Sequence, residues 1–201
     1  TAWSSRSGRT TNVDSPSIFA RMLDADRGGA FRLEPTSRFE AERRYQDSSN
    51  VLETTFTTAD GRVRVTDAMT LTDIRRISPM RELVRKVEAL SGTVPLRWSF
   101  EPRFRYGQAE TRIERRNGRW FAHCESDAVV LGLANAGEGE HRDGSIEGRI
   151  ELEQGEHAIA IQAAAVGVAA ADAPSHRVDR ARRAARVAGR GRHVVQDARR
   201  G

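Results

Sequence analysis

Residues 94–101 read VPLRWSFE. Val94, Leu96, Trp98 and Phe100 alternate with Pro95, Arg97, Ser99 and Glu101, so an extended chain places four large apolar side chains on one face and a mixed set on the other. A period of two marks a half-buried strand, and this stretch sets the fold class as mainly β. Ile159, Ile161 and Ala163 repeat the pattern late in the chain.

Turn signals surround these runs. ADGR at 59–62 separates NVLETTFTT from RVRVTDAMTL, and RNGR at 116–119 separates ETRIE from WFAHC. Asp-Gly and Asn-Gly readily adopt the positive φ of tight hairpin turns, so both pairs predict hairpins. RDGS at 142–145 predicts another turn before IEGRIELE. The apolar runs amount to about ten strands, more than one small open sheet usually holds, so an antiparallel β-sandwich over roughly residues 30–165 is expected. Ahead of it, DSPSIFARMLDADRGG predicts one short helix. Asp14 or Ser15 would cap it, Pro16 suits its first turn, Ile18, Phe19, Met22 and Leu23 recur at helical spacing, and Gly28-Gly29 stops it.

The 201-residue chain carries a net charge of +5, which at first points to phosphate-rich partners. The charge is unevenly placed. Residues 173–201 hold nine arginines against Asp179 and Asp197, a net of +7, so residues 1–172 carry −2. Lys86 is the only lysine, a usage that fits a GC-rich genome better than selected phosphate chemistry. Cys124, the single cysteine, forms no internal disulfide and suits a reducing, cytoplasmic setting. Metal-site spacings and a long apolar run are absent, so neither cofactor nor membrane partner is expected.

Candidate chemistry is sparse. Glu53 and Asp67 flank the first hairpin as a conceivable carboxylate pair, but hydrogen-bonded or solvated strand-end residues are the expected reading. His123 and Cys124 are adjacent on a strand and point to opposite faces, which predicts a buried thiol beside an exposed imidazole, with no nucleophile and base. Trp98 is expected in the core. Trp120, Phe104 and Tyr106 leave an aromatic platform open, and PRFRYG at 102–107 suits a surface or a domain contact.

Three stretches, VDSPSIFARMLDADRGGAFRLEP, RRYQDSSNVLETTFTTADGRVRVTDAMTL and LVRKVEALSGTVPLRWSFEPRFRYG, together resemble the amino-terminal domain of bacterial glycoside hydrolase family 15 proteins, the trehalase-like and glucoamylase-like enzymes. The resemblance covers residues 13–107, and more weakly to about 165. It implies a non-catalytic β-sandwich module, followed in the family by an (α/α)6 barrel whose two glutamates hydrolyse α-glucosidic bonds with inversion. No residue here matches a catalytic glutamate, so this chain is expected to be inactive alone, with the barrel as its partner. The candidate domain-interface residues are Asp14, Ser15, Pro16, Phe19, Arg103, Phe104 and Tyr106, and an uncovered apolar patch there would promote self-association.

The sequence departs from the family at both ends. TAWSSRSGRTTNV reaches Val13-Asp14 too soon, so residues 1–12 read as an altered or truncated segment. Residues 166–201 read as a low-complexity Ala/Arg/Gly tail, out of frame or truncated. From 173 onward its large apolar side chains are four valines, too few to fold it, so a frayed helix over 177–188 followed by disorder is expected. The alternative reading is a nucleic-acid-binding protein acting through this tail. Nucleic acid is not the expected partner of the acidic body.

Overall fold

The computed structural model describes residues 17–69, 81–125 and 127–166. The chain divides into two units, Thr1–Ala171 and Asp172–Gly201, and every described residue belongs to the first. The expectations for residues 1–12, Asp14, Ser15, Pro16 and the tail beyond 166 lie outside the described residues.

The described residues form eleven strands: β1 (Ala30–Pro35), β2 (Glu40–Tyr45), β3 (Leu52–Thr57), β4 (Gly61–Met69), β5 (Arg81–Glu101), β6 (Arg112–Arg116), β7 (Arg119–Cys124), β8 (Asp127–Ala134), β9 (Glu140–Arg142), β10 (Ser145–Glu153) and β11 (His157–Val166). All pairings are antiparallel. The three turn signals close the β3–β4, β6–β7 and β9–β10 hairpins, with Asn117-Gly118 and Asp143-Gly144 at positive φ.

The sandwich is organised around β5. Its first half pairs with β4 and β11 in the order β2-β3-β4-β5-β11-β8-β7-β6, and its second half pairs with β1 and β10. The expected two sheets therefore share one 21-residue strand. The change of sheet falls where the register with β4 shifts, between Arg62 and Val63 opposite 89–91, and where Gly92 adopts φ 65°. A bulge bends a strand and re-aims the residues beyond it.

Val94, Leu96, Trp98 and Phe100 all point inward and are buried, as their alternation predicts. They meet Ile146, Ile150 and Leu152 of β10 on their own sheet, and Val63, Val65, Val87, Ala122, Val129 and Leu131 of the other, in one continuous core. Each Val, Leu, Ile or Phe among them contributes roughly 1.5–3 kcal/mol when fully buried. A cavity between the sheets, lined by Phe31, Leu33, Trp98, Leu133 and Ile150 among others, is only about 10 Å3, the room of a single water.

The short amino-terminal helix does not form over its described part. Residues 17–29 are a series of turns, and the helix-like turn at Phe104–Gly107 has left-handed backbone at Arg105 and Tyr106. At its start, long-range bonds take the place of helical ones, while two isolated i→i+4 bonds, Asp24 N–H to Ala20 O and Gly28 N–H to Asp24 O, remain. The carbonyls of Ser17 and Ile18, which a helix would give to residues four further on, accept the N–H groups of Tyr106 (3.1 Å) and Arg103 (3.0 Å). Ala20 N–H donates to Gly28 O, and the Asp24 carboxylate accepts from the N–H groups of Asp26 and Arg27, closing a compact loop. Ile18 enters the core, while Met22 and Leu23 remain exposed.

Candidate functional site

The loop 17–28 and the segment 102–107 lie against each other, so the structure brings together the described members of the candidate interface. Besides the two backbone bonds, the Arg27 guanidinium donates to Gly107 O (3.4 Å), and a Cβ at Gly107 would stand 2.2 Å from Arg27 O. That contact needs glycine. Arg105, Tyr106 and Gly107 all have positive φ, costly for the first two and sustained by the bonds around them.

Each predicted residue has a distinct place there. Phe19 packs edge-on against Phe100 with centroids 5.6 Å apart, and Phe104 is buried in the core. Arg103 donates through Nη1 to Gly144 O (2.7 Å) and through Nη2 to Glu101 Oε1 (2.9 Å), tying the segment to the β9–β10 hairpin. Tyr106 is 40% exposed, and the neighbouring loop adds Met22 and Leu23, the two most exposed large apolar side chains of the described residues. Sequence reasoning placed Met22 and Leu23 on the apolar face of a helix. Their unusual exposure follows from the long-range bonds that prevent it.

The conceivable carboxylate pair does not assemble. Glu53 stands opposite Thr66 and Asp67 opposite Leu52, so the two carboxylates leave the hairpin on opposite faces. Glu53 is buried and accepts from Arg44 Nε and Nη2 (3.0 and 2.8 Å) and from Gln46 Nε2 (2.8 Å). Burial pushes its carboxyl upward, but the Gln46 and Arg44 hydrogen bonds and the Arg64 charge prevail and hold it below the ordinary glutamate range. Asp67 is gripped by Arg85 through Nε (2.7 Å) and Nη2 (3.0 Å), and Arg85 also donates to Phe31 O and covers the Phe31 ring at 4.5 Å. Both carboxylates join strands.

The other candidates resolve in the same direction. Cys124 is half-buried against the core, and burial followed by the Glu125 charge raises its thiol pKa, which opposes thiolate formation. His123 is partly buried too, 3.5 Å from the Glu114 carboxylate. Trp98 donates to Ala136 O (2.9 Å) and Trp120 to Glu138 O (2.7 Å), so two buried indoles hold the β8–β9 loop and present no stacking platform. Among the described residues no group of three His, Cys, Asp or Glu is placed to hold a metal ion, and no helix is long and apolar enough to cross a membrane.

Comparison with known proteins places this arrangement. The family described as trehalase-like, N-terminal, matches residues 10–185, continuing past the boundary read at 165. A trehalase of Mycolicibacterium smegmatis is 41% identical in an alignment of 116 positions that covers 50% of this chain and 17% of that protein. A trehalase of Mycobacterium tuberculosis is 35% identical in an alignment of 137 positions that covers 61% of this chain and 19% of that protein. A trehalase of Thermoplasma volcanium is 29% identical over 128 residues, 62% and 20%. The matched segment thus spans about a fifth of the length of these relatives.

Proposed function

Since the chain belongs to the trehalase-like N-terminal domain family, we propose that it is the non-catalytic β-sandwich module of a family 15 glycoside hydrolase acting on α-glucosidic bonds, of the trehalase or glucoamylase type. The observation that carries the reading is the fraction matched: relatives named trehalase align with this chain over about a fifth of their own length, leaving most of each protein for a separate catalytic region. The side chains agree with it. Glu53 and Asp67, the carboxylates first considered for hydrolysis, are committed to arginines on opposite faces of one hairpin.

In this reading the partner is the catalytic barrel, and the contact surface is the loop 17–28 together with 102–107. Tyr106, Met22 and Leu23 supply exposed apolar area, and Arg103 and Phe104 hold the segment in place from behind. Asp14, Ser15, Pro16 and Phe19 complete the proposed interface. The single cysteine suits a reducing cytoplasm.

The test is direct. The purified chain is incubated with trehalose and with maltooligosaccharides, and glucose release is measured; none is expected, and clear turnover would overturn the proposal. In a second arm, the catalytic portion of a related trehalase is produced separately and mixed with the chain. Binding is expected, and the double substitution Met22→Ser, Tyr106→Ser is expected to weaken it at least about tenfold, as loss of buried apolar and aromatic contacts does at an interface centre.

A further inference from the structure

Strand β2 ends the larger sheet. Among the described residues it pairs only with β3, and all six of its side chains, from Glu40 to Tyr45, are exposed. Its backbone orientation follows from two bonds at the ends of β3. Gln46 N–H donates to Val51 O (2.9 Å), which points Gln46 at β3, and Thr58 N–H donates to Gly61 O (2.9 Å), which leaves Thr57 facing β2 opposite Glu40. By the alternation of an antiparallel ladder, Glu40, Glu42 and Arg44 turn their N–H and C=O groups toward β3, while Ala41, Arg43 and Tyr45 turn theirs away from the sheet. Among the described residues no strand pairs with those outward groups, which form a pairing edge.

Two exposed aromatics bracket that edge: Phe39, 36% exposed and edge-on to Phe56 at 5.0 Å, and Tyr45, 67% exposed. Phe39 immediately precedes the strand, and its contact with Phe56, which stands opposite Ala41, puts it on the same face as Ala41, Arg43 and Tyr45. The opposite face carries Glu40, Glu42 and Arg44, the last 66% exposed beyond its bond to Glu53.

We propose that β2 is a homodimer contact, pairing antiparallel with β2 of a second copy about a two-fold axis at Glu42. This register sets the outward residues Ala41 and Arg43 against Arg43 and Ala41 of the second copy, so the backbone groups meet in hydrogen-bonded pairs. On one face Phe39 lies opposite Tyr45 of the second copy, twice over. On the other, Glu40 lies opposite Arg44 of the second copy, also twice, an opposite-charge pairing that favours association. The charges that repel an unrelated strand thus fit a copy of their own. Glu42 meets its own counterpart at the axis, the repulsive contact of this register. The neighbouring register, with its axis at Arg43, separates the aromatics and opposes two arginines in its place.

Sedimentation velocity on the full chain across the micromolar range tests the proposal. A concentration-dependent monomer–dimer equilibrium is expected. Ala41→Pro removes an outward N–H and no bond to β3, so far-UV circular dichroism stays unchanged while the dimer dissociation constant rises at least about tenfold, as loss of two symmetry-related hydrogen bonds entails. Glu42→Gln relieves the axial repulsion and lowers the constant several-fold, a readout that does not depend on the proline variant folding. A monomer at every concentration, a dimer indifferent to a folded Ala41→Pro variant, or a dimer weakened by Glu42→Gln would each overturn it.

Discussion

Glu53 is a carboxylate on a strand that is 2% exposed, and its burial is tolerable only because Gln46 and Arg44 bind it. Glu88, held by Arg64 at 2.9 Å with Lys86 nearby, is likewise shifted down against the opposing effect of burial. Both carboxyls bind protons less readily folded than unfolded. The stability they contribute is complete above the unfolded glutamate value of about 4.3 and is lost as pH falls through the lowered folded values. Glu53→Gln is therefore expected to flatten the decline of the melting temperature between neutral and acidic pH, as followed by calorimetry. At neutral pH Glu53→Ala is expected to cost about 1–2 kcal/mol, the Arg44 side of the pair being mostly in water. At Gly148 the constraint is steric: a Cβ there would lie 2.4 Å from Trp98 Cε2 and Cζ2. Gly148→Ala is expected to cost roughly 1–3 kcal/mol by overpacking, with part recovered by Trp98→Phe in the same chain, measured as denaturant midpoints. Neither constraint shows in the sequence, where Glu53 is one acid among many and Gly148 one glycine among seventeen.

Among the elements, β5 was half legible. Its second half announces itself by alternation because one face meets the core and the other does not, whereas its first half, RELVRKVEALSG, interrupts the pattern at the register shift. The hairpins were legible for a local reason, since their turns depend on the φ of two adjacent residues. β2 was not, because EAERRY has no apolar period to read: an edge strand outside the core is specified by its neighbour β3. The expected helix failed for the converse reason, a local pattern overridden by bonds to residues more than eighty positions away. At the change of sheet Gly92 holds φ 65°, and a Cβ would lie 2.0 Å from Asp60 O. Gly92→Ala should therefore destabilise by more than the roughly 1–2 kcal/mol that left-handed backbone alone costs, and the loss should appear as a lower melting temperature with no change in the spectrum of the folded state.

Across the whole molecule, a single strand in both sheets predicts one unfolding transition. Trp98 reports on β5 within the smaller sheet and Trp120 on β7 at the far side of the larger, and both indoles are bonded to the same β8–β9 loop. In a Trp3→Phe background, variants keeping only Trp98 or only Trp120 are expected to lose their folded fluorescence at the same urea concentration after correction for stability; separate midpoints would show that the sheets melt independently. The architecture was legible in outline, two sheets of short antiparallel strands. Their sharing of β5 was not, because it depends on pairings between residues 81–101 and residues 30–35 and 145–166, which no local pattern encodes.

Those pairings also set a timetable for synthesis. When β5 leaves the ribosome it can meet β1 and β4, but the strands for its other edge, β10 and β11, are still untranslated. At roughly 5–20 residues per second the stretch from 101 to 166 takes roughly 3–13 s, during which Val87, Leu96 and Phe100 stay incompletely covered on the nascent chain. That interval is when a chaperone that holds extended apolar segments would have its opportunity.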